Sequence, residues 1–333
     1  MRFRKLGKRL RPKQPAVAVP VLEQDEPTPF TVWEFEAIGT QWWIGIYDDL
    51  EQSELDALST AVRGRIERFD HMYSRFREDS MISTMAKQAG AYAIPARGRD
   101  MLLLYRELYD ATGGAMTPLI GNLLSDAGYD ANYSLQPKPV LSNVPTWDST
   151  LMYDSGVLTL KKPALLDFGA LGKGCLVDMV GRLLYGAGVS SYCIDAGGDM
   201  LYRGRQPMHI GLEDPDDTSQ VIGIATLGNP LKTGRQAAAQ PNWLALCGSA
   251  GNRRAWGEVN HIMHPRSKSS PQHIKAVWVA ADSTMLADGL TTALYFATPQ
   301  KLMRRFDFAW LIIDADGRVR HSPDFPATLF TTA

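Results

Sequence analysis

The chain has 333 residues, of which 45% are hydrophobic and 21% charged, and its formal net charge is -1. That balance describes a globular protein with ample core and excludes bulk attraction to nucleic acid. Cys175, Cys193 and Cys247 are widely spaced and form no CxxC pair, which argues against a disulfide framework or a thiolate metal site and is compatible with a reducing compartment.

The N-terminus, MRFRKLGKRLRPKQ, is basic, and the proline-rich stretch after it lacks the apolar core of a secretory signal. Residues 1–28 are therefore expected to be a solvated tail, residues 29–333 one folded unit, and the location cytoplasmic. No stretch has the length and apolarity of a membrane span.

From Phe30 onward the pattern is that of a folded chain. Thr31 to Ala37 and Gln41 to Tyr47 read as a strand pair turning at Gly39-Thr40. Leu55, Leu58, Val62, Ile66, Phe69 and Met72 recur at three- and four-residue spacing, predicting an amphipathic helix from Ser53 to Ser74. A loop, SRFREDSMIST, leads to a second helix near Arg99 to Thr112, ended by Gly113-Gly114. Residues 125–150 are turn-rich, with strands following near Met152 and over Val157 to Leu160. Further strands are predicted at His209 to Leu212, Val221 to Leu227 and Ile274 to Val279. A helix from Ser283 to Ala297, a short helix to Arg305 and a last strand, Ala309 to Ile313, complete the series. Strands and helices alternate without a strict β-α-β period, so the fold class is mixed α+β.

Two segments carry chemistry. Leu166 to Met200 places Asp167, Gly169, Gly172, Lys173 and Gly174 ahead of a helix, then an apolar strand ending in Gly197-Gly198-Asp199. Glycines allow backbone amides close to a ligand, a helix N-terminus favours anions, and the lysine adds charge: a phosphorylated ligand fits. The spacing is neither that of a Walker loop nor that of the dinucleotide fingerprint, and a turn using glycine for geometry alone stays open. Farther on, Asp288 and Thr292 form an i,i+4 pair whose oxygens could face a hard cation such as magnesium. His261, in Asn260-His261-Ile262-Met263-His264-Pro265-Arg266, is a candidate proton acceptor.

The ordered set of motifs, from about Ile38 to Thr298, resembles the ApbE family of FAD:protein FMN transferases. Ile38-Gly39-Thr40 resembles its Met-Gly-Thr opening, and Ser74-Arg75-Phe76 with Ser80, Ile82 and Ser83 its S-x-Y-x-x-x-S-x-[IL]-S loop. Thr112 to Pro118 resembles T-G-G-A-F-D-P, and Asp167 to Gly174 resembles D-L-G-G-I-A-K-G, followed by Val177-Asp178. Gly197-Gly198-Asp199 matches GGD, His261 to Arg266 resembles H-I-x-D-P-R, and Ala287 to Leu294 resembles A-D-A-L-A-T-A-L.

The resemblance implies a two-lobed α+β fold of mixed sheets and packed helices, with FAD in a cleft between the lobes. It implies FAD contacts at Ile38, Ala115, Met116, Thr117, Asp167, Lys173 and Ile262. Magnesium would be held by the side chains of Asp288 and Thr292 and backbone oxygens near Ala170 and Thr291. His261 matches the family's catalytic histidine. The implied reaction is magnesium-dependent transfer of FMN from FAD to a Thr or Ser hydroxyl of an acceptor protein, releasing AMP. A respiratory flavoprotein subunit is the expected kind of acceptor. The chain departs from the family at Ile38, Thr117, His264 and Ser249-Ala250-Gly251, where Met, Asp, Asp and T-S-G are usual. An FAD-binding protein without transfer, or an FAD pyrophosphatase yielding FMN and AMP, are the alternatives.

Overall fold

The structure is a computed structural model that describes residues 28–228, 244–251, 255–257 and 259–330. The basic tail, apart from its last residue, lies outside the described residues.

Eight strands form the central sheet, and their spatial order is their chain order: β1 (Thr31–Ala37), β2 (Thr40–Ile46), β3 (Tyr192–Ala196), β4 (Asp199–Arg203), β5 (Ala245–Ala250), β6 (Ile274–Ala281), β7 (Ala309–Asp314) and β8 (Val319–His321). Every neighbouring pair is antiparallel. The long excursion between β2 and β3 carries helices α1 (Gln52–Tyr73), α2 (Ala96–Ala111) and α3 (Gly172–Gly186), and that between β6 and β7 carries α4 (Thr284–Ala293). A three-stranded sheet, Gly90–Ala93, Leu151–Asp154 and Val157–Leu160, lies within the first excursion.

Alternation along the strands makes two cores. On β6, Val277, Val279 and Ala281 join the helices in one cluster. Ala276, Trp278 and Ala280 face the other way. That second face is covered by a sheet of Met208–Glu213, Val221–Leu227 and Ala327–Leu329. Buried on both sides, the middle strands read as apolar runs. In α1, Leu55, Leu58, Val62, Ile66 and Phe69 are buried as the periodicity predicts, with Tyr73 completing the stripe. Among the described residues no helix is long and apolar enough to cross a membrane.

Several expectations shift. The β1–β2 turn is Ile38-Gly39, with φ +47° and +74°, and Thr40 already belongs to β2. Two positive φ values in a two-residue hairpin match the strand twist, and a β-branched residue there is strained. The loop after α1 contains a short helix, Met81–Met85, started by Ser80, whose side chain accepts the Ser83 N–H. Lys173 lies within the first turn of α3 rather than ahead of it. Ala309–Asp314 is followed by two further strands of three residues each, too short to show a period.

Gly174 has a specific task. A Cβ there would drive into the Thr284 carbonyl and lie 2.8 Å from the Asp288 Cβ, so glycine is what lets α3 and α4 touch. Gly174→Ala is expected to destabilise the fold by on the order of 1–3 kcal/mol through overpacking. Thermal unfolding followed by circular dichroism measures it, and an unchanged midpoint would contradict close contact of these helices.

Candidate active site

The site begins where α3 begins. Asp167 precedes a tight turn in which its Oδ1 accepts the Gly169 N–H at 2.7 Å, and the Phe168 carbonyl accepts the Gly172 N–H at 2.7 Å. This releases the chain into α3 with Lys173 on its first turn. A cavity of about 430 Å³ opens there.

Helix α4 supplies the facing wall, and α3 anchors it. Asp178 Oδ1 accepts the Thr284 N–H at 2.9 Å, while Oδ2 accepts the Met285 N–H at 3.1 Å and the Ser283 hydroxyl at 2.9 Å. A carboxylate at a helix N-terminus satisfies donors that the helix cannot, and it complements the dipole. Four residues further into α4, Asp288 Oδ2 accepts the Gly174 N–H at 2.9 Å. Two carboxylates on two helices thus fix their relative register.

Charge is concentrated at this junction. Lys173 Nζ ion-pairs with Asp199 Oδ2, and both residues lie close to Asp288 and the Cys247 thiol. Burial pushes the Asp288 carboxyl well above the usual carboxylate range; Asp199 adds to this and Lys173 opposes it. Burial also works against the Lys173 ammonium, yet Asp199 and Asp288 outweigh it and hold its pKa above the ordinary value. Cys247, pushed up by burial and then by the same carboxylates, stays a neutral thiol. One ammonium balances only one of the two carboxyl groups, and a bound cation would favour ionisation of Asp288. The nearby donors are oxygens, from Asp288, Thr292 and the backbone at Ala170, as suits a hard cation.

Two loops close the cavity. Thr112 ends α2, its hydroxyl donating to the Leu108 carbonyl at 2.7 Å and accepting the Met116 N–H at 3.0 Å. Gly113 and Gly114 take φ +64° and +87°, which turns Ala115, Met116 and Thr117 onto the wall. Opposite, Asn260 Oδ1 accepts the Ile262 N–H at 2.8 Å and shapes the segment bearing His261 and Ile262. Arg266 Nη2 donates to the Gly113 carbonyl, tying the two loops together.

At the two departures from the ApbE pattern at carboxylate positions, the side chains present each accept backbone N–H groups of their own turn. Thr117 Oγ1 accepts the Leu119 N–H at 3.2 Å and so caps the turn Pro118–Ile120. Threonine and aspartate are both good caps. His264 Nδ1 accepts the N–H groups of Arg266 and Ser267 at 3.2 and 3.3 Å, the bonds an aspartate makes in an Asx turn.

Ile38, Ala115, Met116, Thr117, Asp167, Ala170, Lys173, His261, Ile262, Asp288 and Thr292 all line this one cavity. Thr291 does not: it is fully buried behind the wall, its hydroxyl donating to the Asp288 carbonyl at 2.7 Å and lying 2.8 Å from Ser249 Oγ. The ApbE family matches residues 38–309. The chain belongs to the ApbE family. Relatives named FAD:protein FMN transferase include one from Klebsiella pneumoniae, 22% identical over 81% of this chain and 79% of its own. Another, from Escherichia coli K12, is 21% identical over 91% of this chain and 90% of its own. Among solved structures, the flavin transferase ApbE from Vibrio cholerae superposes with a TM-score of 0.68 at 19% identity, covering 89% of this chain and 97% of that one. The flavinyl transferase ApbE from Pseudomonas stutzeri, apo form, gives 0.70 at 20% identity, covering 95% and 98%. These likenesses carry the ApbE fold.

Sequence reasoning assigned no site role to Asp199, Asp178 or Arg75. Asp199 and Val177-Asp178 were visible as pieces of matched motifs, but their partners lie on other elements. Arg75 falls at a variable position of its motif and carried no signal.

The His264 substitution has a consequence in acid. Burial, and then Arg266, hold its pKa below the ordinary histidine value. A depressed folded pKa means that the neutral ring's contribution is complete above about pH 6.5, the unfolded value, and is lost as pH falls through the folded pKa. His264→Asp is expected to reduce the loss of melting temperature between roughly pH 7.5 and pH 5. An equal or larger loss in the variant would show that the ring does not cap the turn.

Proposed function

We propose that this protein transfers FMN from FAD to a Thr or Ser hydroxyl of an acceptor protein in the presence of magnesium, with AMP as the leaving group. The observation that carries this reading is the gathering of Lys173, Asp288 and His261 around one cavity at the N-terminus of α3, with buried Asp199 paired to Lys173.

In this reaction the acceptor oxygen attacks the phosphorus of the FMN half. A phosphoester bond forms, the bond to the bridging pyrophosphate oxygen breaks, and AMP departs with that oxygen. Such chemistry depends mainly on positioning and charge neutralisation. The Asp288 carboxylate, the Thr292 hydroxyl and a backbone oxygen at Ala170 would hold magnesium, Thr291 standing behind them. When bound, the metal neutralises charge on the pyrophosphate and the departing AMP.

Lys173 adds positive charge beside the phosphates, and Asp199 keeps its ammonium on the cavity side of α3. Asp178 acts at a distance, fixing the α4 terminus that aims Asp288. His261, on the opposite loop, takes the proton of the attacking hydroxyl. The Ala115-Met116-Thr117 turn, Ile38, Asp167 and Ile262 line the space for the nucleotide. A respiratory flavoprotein subunit is the proposed kind of acceptor.

The test is incubation with FAD, magnesium chloride and a candidate acceptor, followed by flavin fluorescence on a denaturing gel and AMP assay. A fluorescent acceptor band with matching AMP is expected. AMP and FMN without any acceptor would identify a pyrophosphatase, and FAD binding without AMP a non-catalytic binder. Asp288→Asn is expected to remove magnesium-dependent transfer while preserving the melting curve. Unchanged magnesium dependence would move the metal elsewhere. His261→Ala is expected to lower the transfer rate by roughly 10²–10⁴-fold with FAD affinity retained. A wild-type rate in that variant would exclude His261 as the base.

A further inference from the structure

Strand β1 is an edge of the central sheet: β2 lies on one side of it, and among the described residues no strand pairs with the other. In a hairpin closed by two residues the flanking pair, Ala37 and Thr40, exchanges hydrogen bonds, and alternate pairs back along the strands do the same. Val32, Glu34 and Glu36 therefore turn their backbone N–H and C=O groups away from β2. Their side chains are exposed, while Trp33, Phe35 and Ala37 pack toward the core.

This edge leads to the candidate active site. A second cavity, of about 270 Å³, lies between the end of β1 and helix α1. Phe35, Arg63 and Ile66 line it, and the Arg63 guanidinium carbon sits 4.5 Å from the centre of the Phe35 ring. Ile38 and Asp70 line both this groove and the main cavity, so the two meet there. The rim carries acidic groups: Glu34 and Glu36 are exposed on the strand and Glu67 on the helix. Like charges on an edge strand keep other copies of the same edge away. They leave it open to a segment of opposite charge.

We infer that β1 and this groove are the docking face for the acceptor protein, which adds an extended segment bearing Lys or Arg to the edge of β1. The inference rests on the transfer reading, in which a hydroxyl carried by another protein must enter the main cavity. Strand addition supplies affinity through main-chain hydrogen bonds, and alternate side chains supply choice. At about 3.3 Å per residue, a chain paired alongside Glu36 soon meets Ile38, the shared wall. A Thr or Ser just beyond the paired stretch is thus delivered to the cavity mouth. Side chains of the segment that face α1 fill the groove beside Phe35 and Ile66, and basic ones that face outward meet Glu34 and Glu36.

Two fluorescein-labelled peptides are the probes: alternating Lys-Val repeats followed by Gly-Thr-Ser-Gly, and the same peptide with Glu for each Lys. Binding is followed by fluorescence anisotropy on the wild-type protein, Glu34→Pro, Glu34→Gln and Glu67→Lys, with the melting curve as a control for folding. The wild type is expected to bind the lysine peptide about tenfold more tightly than the glutamate peptide, or better. Glu34→Pro removes an outward-facing N–H and spares the β1–β2 bonds, which belong to the alternate residues. It is expected to weaken lysine-peptide binding by about tenfold or more, and Glu34→Gln by less. Glu67→Lys is expected to narrow the gap between the two peptides. Equal affinity for the peptides, no binding of either, or binding untouched by Glu34→Pro and Glu67→Lys overturns the inference. A concentration-dependent dimer that Glu34→Pro dissolves would give the edge to a second copy. Tighter peptide binding after Lys8, Arg9 and Arg11 are changed to serine would give it to the chain's own basic segment. Either result overturns the inference as well. Lysine-peptide binding at β1 by a protein that transfers no FMN would count against the transfer reading and leave the docking of a basic strand standing.

Discussion

Everything at this site depends on one contact: helix α3 meeting helix α4 at Gly174. The glycine removes the side chain that would hold the helices apart, and its N–H is then close enough to bond Asp288. Asp178, one turn further along α3, bonds the first N–H groups of α4. The helices are locked at two points by carboxylates, each accepting backbone amides, with the Ser283 hydroxyl as a further donor to Asp178. Backbone donors have fixed positions, so the Asp288 oxygen atoms inherit the rigidity of α3. That rigidity is what a site needs when its chemistry is chiefly alignment of charge.

The same contact explains why the charges here resist neutralisation by one another. Burial disfavours ionised Asp288, and the nearby Asp199 disfavours it further. Lys173 can compensate only one of the two. Replacing a buried ion pair by well-packed apolar groups is often neutral or stabilising, so packing alone does not account for this cluster. The cavity has an apolar and aromatic side toward Phe76, Tyr129 and Met263 and a charged side toward Lys173 and Asp288. A ligand with rings at its ends and phosphates in its middle matches that polarity in outline.

Much of this was legible in the sequence, for reasons that differ by element. The stripe of α1 was readable because a long helix repeats its period many times. The site was readable because ordered motifs mark positions, and eleven of its expected residues do line a single cavity, Thr291 being the one set behind it. The Ile38-Gly39 turn was displaced by one residue because nothing in its composition signals a positive φ at an isoleucine. The glycines between Leu166 and Met200 read as a means of approaching phosphate, whereas Gly174 serves helix contact. Asp178 and Asp199 act through partners more than 25 residues away in the chain, and such pairings have no local pattern.

The departures Thr117 and His264 show how a motif can change letters and keep its physics. In the family pattern both positions are aspartates. Here each offers a side-chain acceptor to a backbone N–H two residues on, as an aspartate can. What the exchange alters is charge: a carboxylate is absent at Thr117, which lines the cavity, and another at His264, outside its lining. An aspartate at position 117 would add negative charge to the wall that Lys173 and Asp288 share, so threonine there lightens that charge while the turn keeps its cap.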